Sequence, residues 1–233
     1  PKGILIWRAL LQWLGGIGIV VIALVILPFL RIGGMQLFHL EGDDPYEKFL
    51  PKISSVVSKI IYVYVSLTLL LIILYYLNGM ILFDAIAHSF TTISTGGFST
   101  HNESFAYFQS NSILNIAIIF MIIGSIPFLL LAQTTVTNIF NVIKDHQVRL
   151  FLLILFISIT LIYYFARNYI DGDISHRLST ISFNTISIIS GTGYVSDNFE
   201  NWGNYASILF LFLMFIGGCA GSTTGGVKIF RFQ

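Results

Sequence analysis

At 233 residues, with 55% hydrophobic and only 10% charged side chains, the chain carries more apolar surface than a soluble domain of this size can hide, and a bilayer is the solvent that buries it. A formal net charge of +1 with no dense basic run gives no footprint for nucleic acid. The single Cys219 excludes a disulfide framework within the chain.

Six charge-free runs are legible: Ala9 to Leu30, Ile60 to Phe83, Ser104 to Ile143, Leu150 to Ala166, Leu178 to Ser196 and Asn201 to Val227. A spanning helix needs roughly 20 such residues. The first predicted span covers about Leu10 to Leu30 and is entered through Trp7, Arg8 and Trp13, residues suited to an interfacial belt. Its Gly15, Gly16 and Gly18 allow a neighbouring helix to approach closely. A polar connection follows from Arg31 to Lys52, with Gly33-Gly34 and a turn from Glu41 to Pro45. Span two runs from about Val56 to Leu77 and stops at Asn78-Gly79.

The next segment, Met80 to Ser94, is apolar but too short to cross, since at ~1.5 Å per residue it reaches only about two-thirds of the hydrocarbon core. It ends in Thr95-Gly96-Gly97-Phe98-Ser99-Thr100. Span three covers about Ser112 to Leu131 and fades into a polar extension, and span four covers about Val148 to Asn168. A second short segment, Ser175 to Ile189, ends in Ser190-Gly191-Thr192-Gly193-Tyr194. Span five begins near Tyr205 and meets a glycine cluster, Gly217 to Gly226, before it has crossed.

The order of span, short helix, glycine-rich loop and span therefore occurs twice, and pairing Gly97 with Gly193 sets an offset of 96 residues. Internal repeats in a transporter mark where the site lies. Lys and Arg cluster in the connections around 31–59 and 144–149, which the positive-inside rule places in the cytoplasm. Both loops then enter and leave from outside, where Asp84, Glu103, Asp171, Asp173, Asp197 and Glu200 form an acidic mouth. The fold class expected is all-α integral membrane, with about five spanning helices, two re-entrant pore helices and repeated helix–pore loop–helix units.

Irregular backbone at membrane depth is tolerated only where protein or water satisfies it. Glycine permits positive φ, so successive carbonyls can be aimed at one axis, as in potassium filters. The short helix before each loop turns its partially negative C-terminal end toward a cation. The filter residues read this way are Ser94, Thr95, Gly96, Gly97 and Phe98, then Ser190, Gly191, Thr192, Gly193 and Tyr194. Either loop alone also reads as a turn between helices; two copies, each behind a helix too short to span, favour the pore.

These residues also carry a resemblance. Gln12-Trp13-Leu14-Gly15-Gly16, Gly33-Gly34-Met35-Gln36, His88-Ser89-Phe90, Gly96 to His101 and Gly217 to Lys228 closely resemble the membrane subunit of bacterial Trk potassium-uptake systems, the TrkH family of the wider Trk/Ktr/HKT superfamily. The resemblance implies four helix–pore loop–helix repeats around one pore, with a critical glycine in each filter loop, here Gly97 and Gly193. It implies potassium uptake across the bacterial inner (cytoplasmic) membrane, with potassium as cargo, no cofactor in this chain, a homodimer, and a cytoplasmic nucleotide-binding regulator of the TrkA type. On this reading residues 1–55 are the inner helix of repeat 1 with its connection, 56–147 repeat 2 and 148–233 repeat 3. The chain begins at Pro1 and stops just past the glycine cluster, so it reads as part of a longer polypeptide.

On composition alone, the cluster Gly217, Gly218, Cys219, Ala220, Gly221, Ser222, Thr223, Thr224, Gly225 and Gly226 reads first as a tight helix crossing. The resemblance makes it, with Lys228, an intramembrane gate beneath the filter. Thr224 stands where the family often has Gly or Ala. His88 and Asp84, four apart on one helix face, invite pairing, and His101 with Glu103 reads as a solvated loop. No nucleophile–base arrangement, nucleotide fingerprint or zinc spacing is legible, so no enzyme is expected. Two alternatives stay open: a sodium- or proton-coupled secondary transporter using the broken fifth span, and a non-conducting piece of a split or decayed gene.

Overall fold

A computed structural model describes residues 1–30, 49–134 and 140–233. The connection 31–48, with its Gly33-Gly34-Met35-Gln36 motif and Glu41-to-Pro45 turn, lies outside the described residues, as does the part of the polar extension at 135–139.

The described chain is helical in the order α1 (Lys2–Leu30), α2 (Phe49–Leu77), α3 (Leu82–Ile93), α4 (Asn111–Gly124), α5 (Phe128–Thr134), α6 (Phe140–Lys144), α7 (His146–Ala166), α8 (Ile174–Ile189) and α9 (Asn204–Leu213). Short 3-10 turns at Ser104–Phe108, Phe199–Trp202 and Ile229–Phe232 join or end them, and no strand forms among the described residues beyond one isolated bridge, Ile216 to Val227. Among the described residues, three helical stretches are long and apolar enough to cross a membrane: Lys2–Ile22, Ser55–Leu77 and His146–Ala166. Phe156, Tyr164, Phe212 and Leu77 point outward from the bundle, the surface a lipid-facing protein presents.

Several boundaries differ from the sequence reading. The first helix starts at Lys2, well before Leu10, because the residues from Gly3 to Ala9 contain no breaker stronger than one glycine. The run expected as a single third span is two helices, broken between Gly124 and Phe128. Pro127 is the cause: it has no N–H to continue the ladder, and it biases Ile126 away from the helical region. The fifth span, by contrast, breaks as read from the sequence: its helix stops at Leu213 and the glycine cluster beyond it is not helical, as the low helix propensity of that cluster dictates.

The two short helices form as expected, with 12 residues in α3 and 16 in α8, or ~18 and ~24 Å against a hydrocarbon core of ~30 Å. Each packs among neighbouring helices: α3 on α1, α2 and α4, and α8 on α4, α7 and α9. Their buried faces are polar, with Asp84, His88, Thr91 and Thr92 on α3 and Thr180, Asn184, Thr185 and Ser187 on α8. Polar side chains buried behind an apolar exterior need internal partners, and those partners build the site.

Of the three glycines expected to admit a neighbouring helix, one does so. A Cβ on Gly16 would lie 2.7 Å from Ser94 Cβ and 3.0 Å from the Tyr64 hydroxyl, whereas nothing stands within 4 Å of one on Gly15 or Gly18. Gly16→Ala should therefore destabilise the chain by about 1–3 kcal/mol through overpacking. Gly15→Ala and Gly18→Ala should be neutral or stabilising, because alanine is the better helix former. Thermal melts of the three variants in detergent check the contrast, and equal losses would contradict it.

Candidate functional site

The loop after α3 is shaped by its own backbone. Thr95 has φ +50° and Gly97 has φ +73°, while Gly191 and Gly193 in the loop after α8 have φ +70° and +82°. The left-handed positions thus recur at the offset of 96 residues that pairs Gly97 with Gly193. Thr95 is the costly member, because a side chain in this region costs roughly 1–2 kcal/mol, and strain of that kind concentrates at functional sites.

Hydrogen bonds repeat at the same offset. Thr91 Oγ1 donates to the Phe98 carbonyl at 2.8 Å, and Ser187 Oγ donates to the Tyr194 carbonyl at 2.7 Å. The Gly97 amide reaches the Thr91 carbonyl at 3.4 Å, and the Gly193 amide reaches the Ser187 carbonyl at 3.1 Å. One turn earlier, His88 Nδ1 donates to the Asp84 carbonyl at 2.8 Å and Asn184 Nδ2 donates to the Thr180 carbonyl at 2.9 Å. With its proton on Nδ1, His88 accepts at Nε2 from Ser99 Oγ at 2.9 Å. Two sequences that share few identities thus fold their loops by the same bonds.

The two loops meet. A Cβ on Gly97 would fall 1.6 Å from the Thr192 carbonyl oxygen, whereas nothing lies within 4 Å of one on Gly193. Tyr194 is buried and reaches across to α3, with its hydroxyl 2.5 Å from Thr91 Oγ1 and 3.2 Å from Thr92 Oγ1, and it donates to the His88 carbonyl at 3.2 Å. Ser94 Oγ caps its own helix through the Phe90 carbonyl, and Ser190 Oγ lies 2.7 Å from Thr192 Oγ1.

The glycine cluster packs beside these loops as a closed ring. The Gly217 amide donates to the Val227 carbonyl at 2.8 Å and the Val227 amide to Phe215 at 3.0 Å, while Gly225 O fills the place a Gly217 Cβ would take. Inside it, Ser222 Oγ lies 2.8 Å from Thr224 Oγ1, the Gly218 amide donates to Thr224 Oγ1, and Lys228 Nζ donates to the Thr224 carbonyl. The ring docks on the break in the α4–α5 chain: the Cys219 amide donates to Ser125 O at 2.9 Å, the Thr223 amide to Gly124 O at 3.2 Å, and Phe128 N to Gly221 O at 3.0 Å. Ala220 is held by Gln147 Oε1 of α7. Thr223 Oγ1 stands 3.2 Å from the Ile93 carbonyl that ends α3, and Thr95 Oγ1 donates to it at 3.2 Å. On the other side, the Gly225 amide nitrogen lies 3.6 Å from where a Gly191 Cβ would stand.

All three segments singled out in the sequence are therefore in mutual contact, and other candidates are rearranged. The Asp84 carboxylate does not pair with His88; it accepts from Thr100 Oγ1 at 2.7 Å and lies 2.9 Å from His101 Nε2, so His101 is tied to Asp84 and not to Glu103. Asp173 caps α8, and Asp197 accepts from Trp202 Nε1 at 2.9 Å, so several of the expected mouth acids have structural partners. At the register of Asp84 the second unit carries Thr180, whose buried Oγ1 has no hydrogen-bond partner and which lines a cavity of about 450 Å³ with Asp171, His176 and Asp197. No group of three or more His, Cys, Asp or Glu able to hold a metal occurs among the described residues.

Sequence reasoning missed Gln12, which bonds to the backbone of Gly96 and Phe98, the Tyr194 tie into α3, and the break at Pro127. Two signals were available: Gln12 is the one side-chain amide in the run Ala9 to Leu30, and Pro127 interrupts an otherwise apolar run.

Comparison with known proteins places this geometry. The family model described as "TrkH: Cation transport protein" matches residues 1–233. The Trk system potassium uptake protein TrkI of Halomonas elongata is 40% identical over 233 residues, covering 99% of this chain and 47% of the relative. The Trk system potassium uptake protein TrkH of Escherichia coli K12 is 38% identical over 243 residues, covering 99% of this chain and 49% of the relative. The crystal structure of the potassium transporter TrkH from Vibrio parahaemolyticus superposes with a TM-score of 0.85 at 36% identity, covering 100% of this chain and 47% of that one. The chain spans about half the length of the relatives it matches.

The contact at Gly97 sets an asymmetry between otherwise matched glycines. Gly193→Ala should cost the roughly 1–2 kcal/mol of a side chain at positive φ. Gly97→Ala should cost more, because the added methyl meets a backbone carbonyl that cannot rotate away. Chemical or thermal denaturation of the two variants side by side checks this, and equal costs would show that the loops do not touch.

Proposed function

We propose that this chain, which belongs to the TrkH family of cation transport proteins, lines part of a membrane pathway that admits potassium through filter loops 94–98 and 190–194 above a gate at 217–228. Membership in a transporter family sets the class as transport and not enzymatic catalysis. One observation supports the filter reading above the rest: residues of alternating backbone hand recur at matched positions of two loops, each at the C-terminal end of a helix too short to span.

The chemistry follows from the backbone. In a strand, successive carbonyls point to opposite sides; left-handed residues at alternate positions break that alternation, and the carbonyls that Gln12 and Thr91 do not hold, that of Gly97 among them, can face one side. Such a file of oxygens can replace a cation's hydration shell. The C-terminal ends of α3 and α8 add a partial negative charge of about half an elementary unit each. No fixed carboxylate is then needed in the loops, and a weak, multi-site hold lets the ion leave as readily as it enters.

Beneath the filter, the ring at 217–228 acts as the gate. Backbone bonds to Gly124, Ser125 and Phe128 and the Thr223 hydroxyl hold it in place. A handful of such bonds, each worth roughly 0.5–1.5 kcal/mol net, suits a barrier that a regulator can shift. In the intact protein, 1–55 supplies the inner helix of a first repeat, and 56–147 and 148–233 are the second and third repeats. Together they give five spans and two re-entrant helices of a multi-pass protein of the bacterial cytoplasmic membrane. A homodimer and a nucleotide-binding regulator of the TrkA type complete the assembly.

Two measurements test this in a full-length protein containing the chain, expressed in cells deficient in potassium uptake. Gly97→Ser and Gly193→Ser should each lower potassium-over-sodium selectivity; unchanged selectivity in both overturns the filter. Thr223→Val, which removes the link to Ile93 while keeping the side-chain volume, should raise flux in the absence of the regulator, and unchanged or lower flux would sink the gate. Uptake that requires a sodium or proton gradient would establish the coupled-transporter alternative.

A further inference from the structure

We infer that Gln12 of α1 is a positioning residue for ion selection, aiming the Gly97 carbonyl by holding the peptide groups on both sides of that glycine. The inference rests on the reading of loop 94–98 as a filter segment.

Gln12 Nε2 donates to the Gly96 carbonyl at 3.1 Å, and Gln12 Oε1 accepts from the Phe98 amide at 3.3 Å. The Gly96 carbonyl belongs to the peptide group preceding the Gly97 Cα, and the Phe98 amide belongs to the one following it. One side chain therefore fixes both planes between which Gly97 rotates. This matters because glycine, with the widest choice of φ and ψ, is the residue least able to hold a conformation unaided.

The direction of the Gly97 carbonyl follows from covalent geometry. All peptide bonds in the described chain are trans, so the C=O and N–H of one peptide group point to opposite sides. With the Phe98 N–H directed at Gln12, the Gly97 C=O is directed away from α1. The preceding peptide obeys the same rule: its Gly96 carbonyl faces Gln12, and its Gly97 amide turns the other way, toward the Thr91 carbonyl. A carboxamide is the side-chain group that offers a donor and an acceptor side by side for this task.

The clamp is itself anchored. A Cβ on Gly96 would lie 2.4 Å from Gln12 Oε1, so the approach demands glycine there. The next residue, Trp13, donates through Nε1 to Thr68 Oγ1 at 3.0 Å and accepts at its carbonyl from the Tyr64 hydroxyl at 2.9 Å. One turn earlier, the Arg8 guanidinium lies 4.3 Å from the centre of the Phe98 ring. Among the described residues no carboxamide brackets Gly193 in this way: Asn184 of α8 bonds to Ser196, while Ser104 Oγ accepts from the Val195 amide and the Ala106 amide donates to the Val195 carbonyl, each at 3.2 Å, one residue beyond Tyr194, the counterpart of Phe98. Beyond the bonds the two units share, the supports that reach each loop from other segments differ, so Gln12 acts directly on the first loop alone.

The test uses the full-length protein in potassium-uptake-deficient cells, reading the potassium-to-sodium permeability ratio together with the amount of protein in the membrane. Gln12→Leu, which removes both bonds at similar volume, should lower the ratio by about tenfold. Gln12→Glu keeps the length and the acceptor for Phe98 but sets a carboxylate against the Gly96 carbonyl, and should also lower the ratio; it serves where Gln12→Leu does not accumulate. A fall in protein amount and in uptake of both ions with the ratio unchanged would mean a merely structural contact and overturn the inference. Gly193→Ser in the other loop separates the two readings. A loss of selectivity there, with the ratio intact in both Gln12 variants, overturns the clamp and leaves the filter standing; no change in any of them removes the filter and the clamp together.

Discussion

A peptide group buried at membrane depth has no water to bond with, and each one left unpaired costs several kcal/mol. That constraint organises this chain. Its glycine-rich loops abandon the helical ladder, and several of their amides and carbonyls are met by side chains: Thr91 and Ser187 take the Phe98 and Tyr194 carbonyls, Gln12 takes the Gly96 carbonyl and the Phe98 amide, and Ser104 takes the Val195 amide. The polar faces of α3 and α8 exist to supply these partners. A short helix that buried only leucine could not hold such a loop.

The broken helices solve the same problem reciprocally. Pro127 ends the ladder of α4 and leaves the carbonyls of Gly124 and Ser125 without helical partners. The ring of residues after α9 has amides to spare, and those of Cys219 and Thr223 fill the gap, while Phe128 at the start of α5 gives its amide to Gly221. Each break satisfies the other. A segment held this way is fixed by hydrogen bonds between the two breaks as well as by the burial of Cys219, and it touches both the end of α3 and Thr95.

The matched loops are not equivalent. Where the first unit buries the Asp84 carboxylate against Thr100 and His101, the second has Thr180 and a cavity. Tyr194 reaches into α3 through its hydroxyl, while Phe98 at the same register has none and carries Arg8 on its face instead. Divergence of this kind follows from packing, since each unit meets different neighbours: α3 lies on α1, α2 and α4, and α8 on α4, α7 and α9.

What the sequence determined by itself was whatever depends on local composition: the apolar spans, the two helices too short to cross, the glycines at the loop turns and the loss of helix after Leu213. These are set by hydropathy over a window and by the conformational freedom of a few residues, so they need no partner to be read. Tertiary structure decided which polar side chain meets which backbone group. Gln12 and Gly96 are 84 residues apart and Thr223 and Ile93 are 130 apart, and no local pattern encodes a contact at that separation. The break at Pro127 lay between these cases. The proline was visible, but its consequence was not, because a proline in a membrane helix either kinks it or ends it, and the outcome depends on whether another segment arrives to take the carbonyls it leaves free.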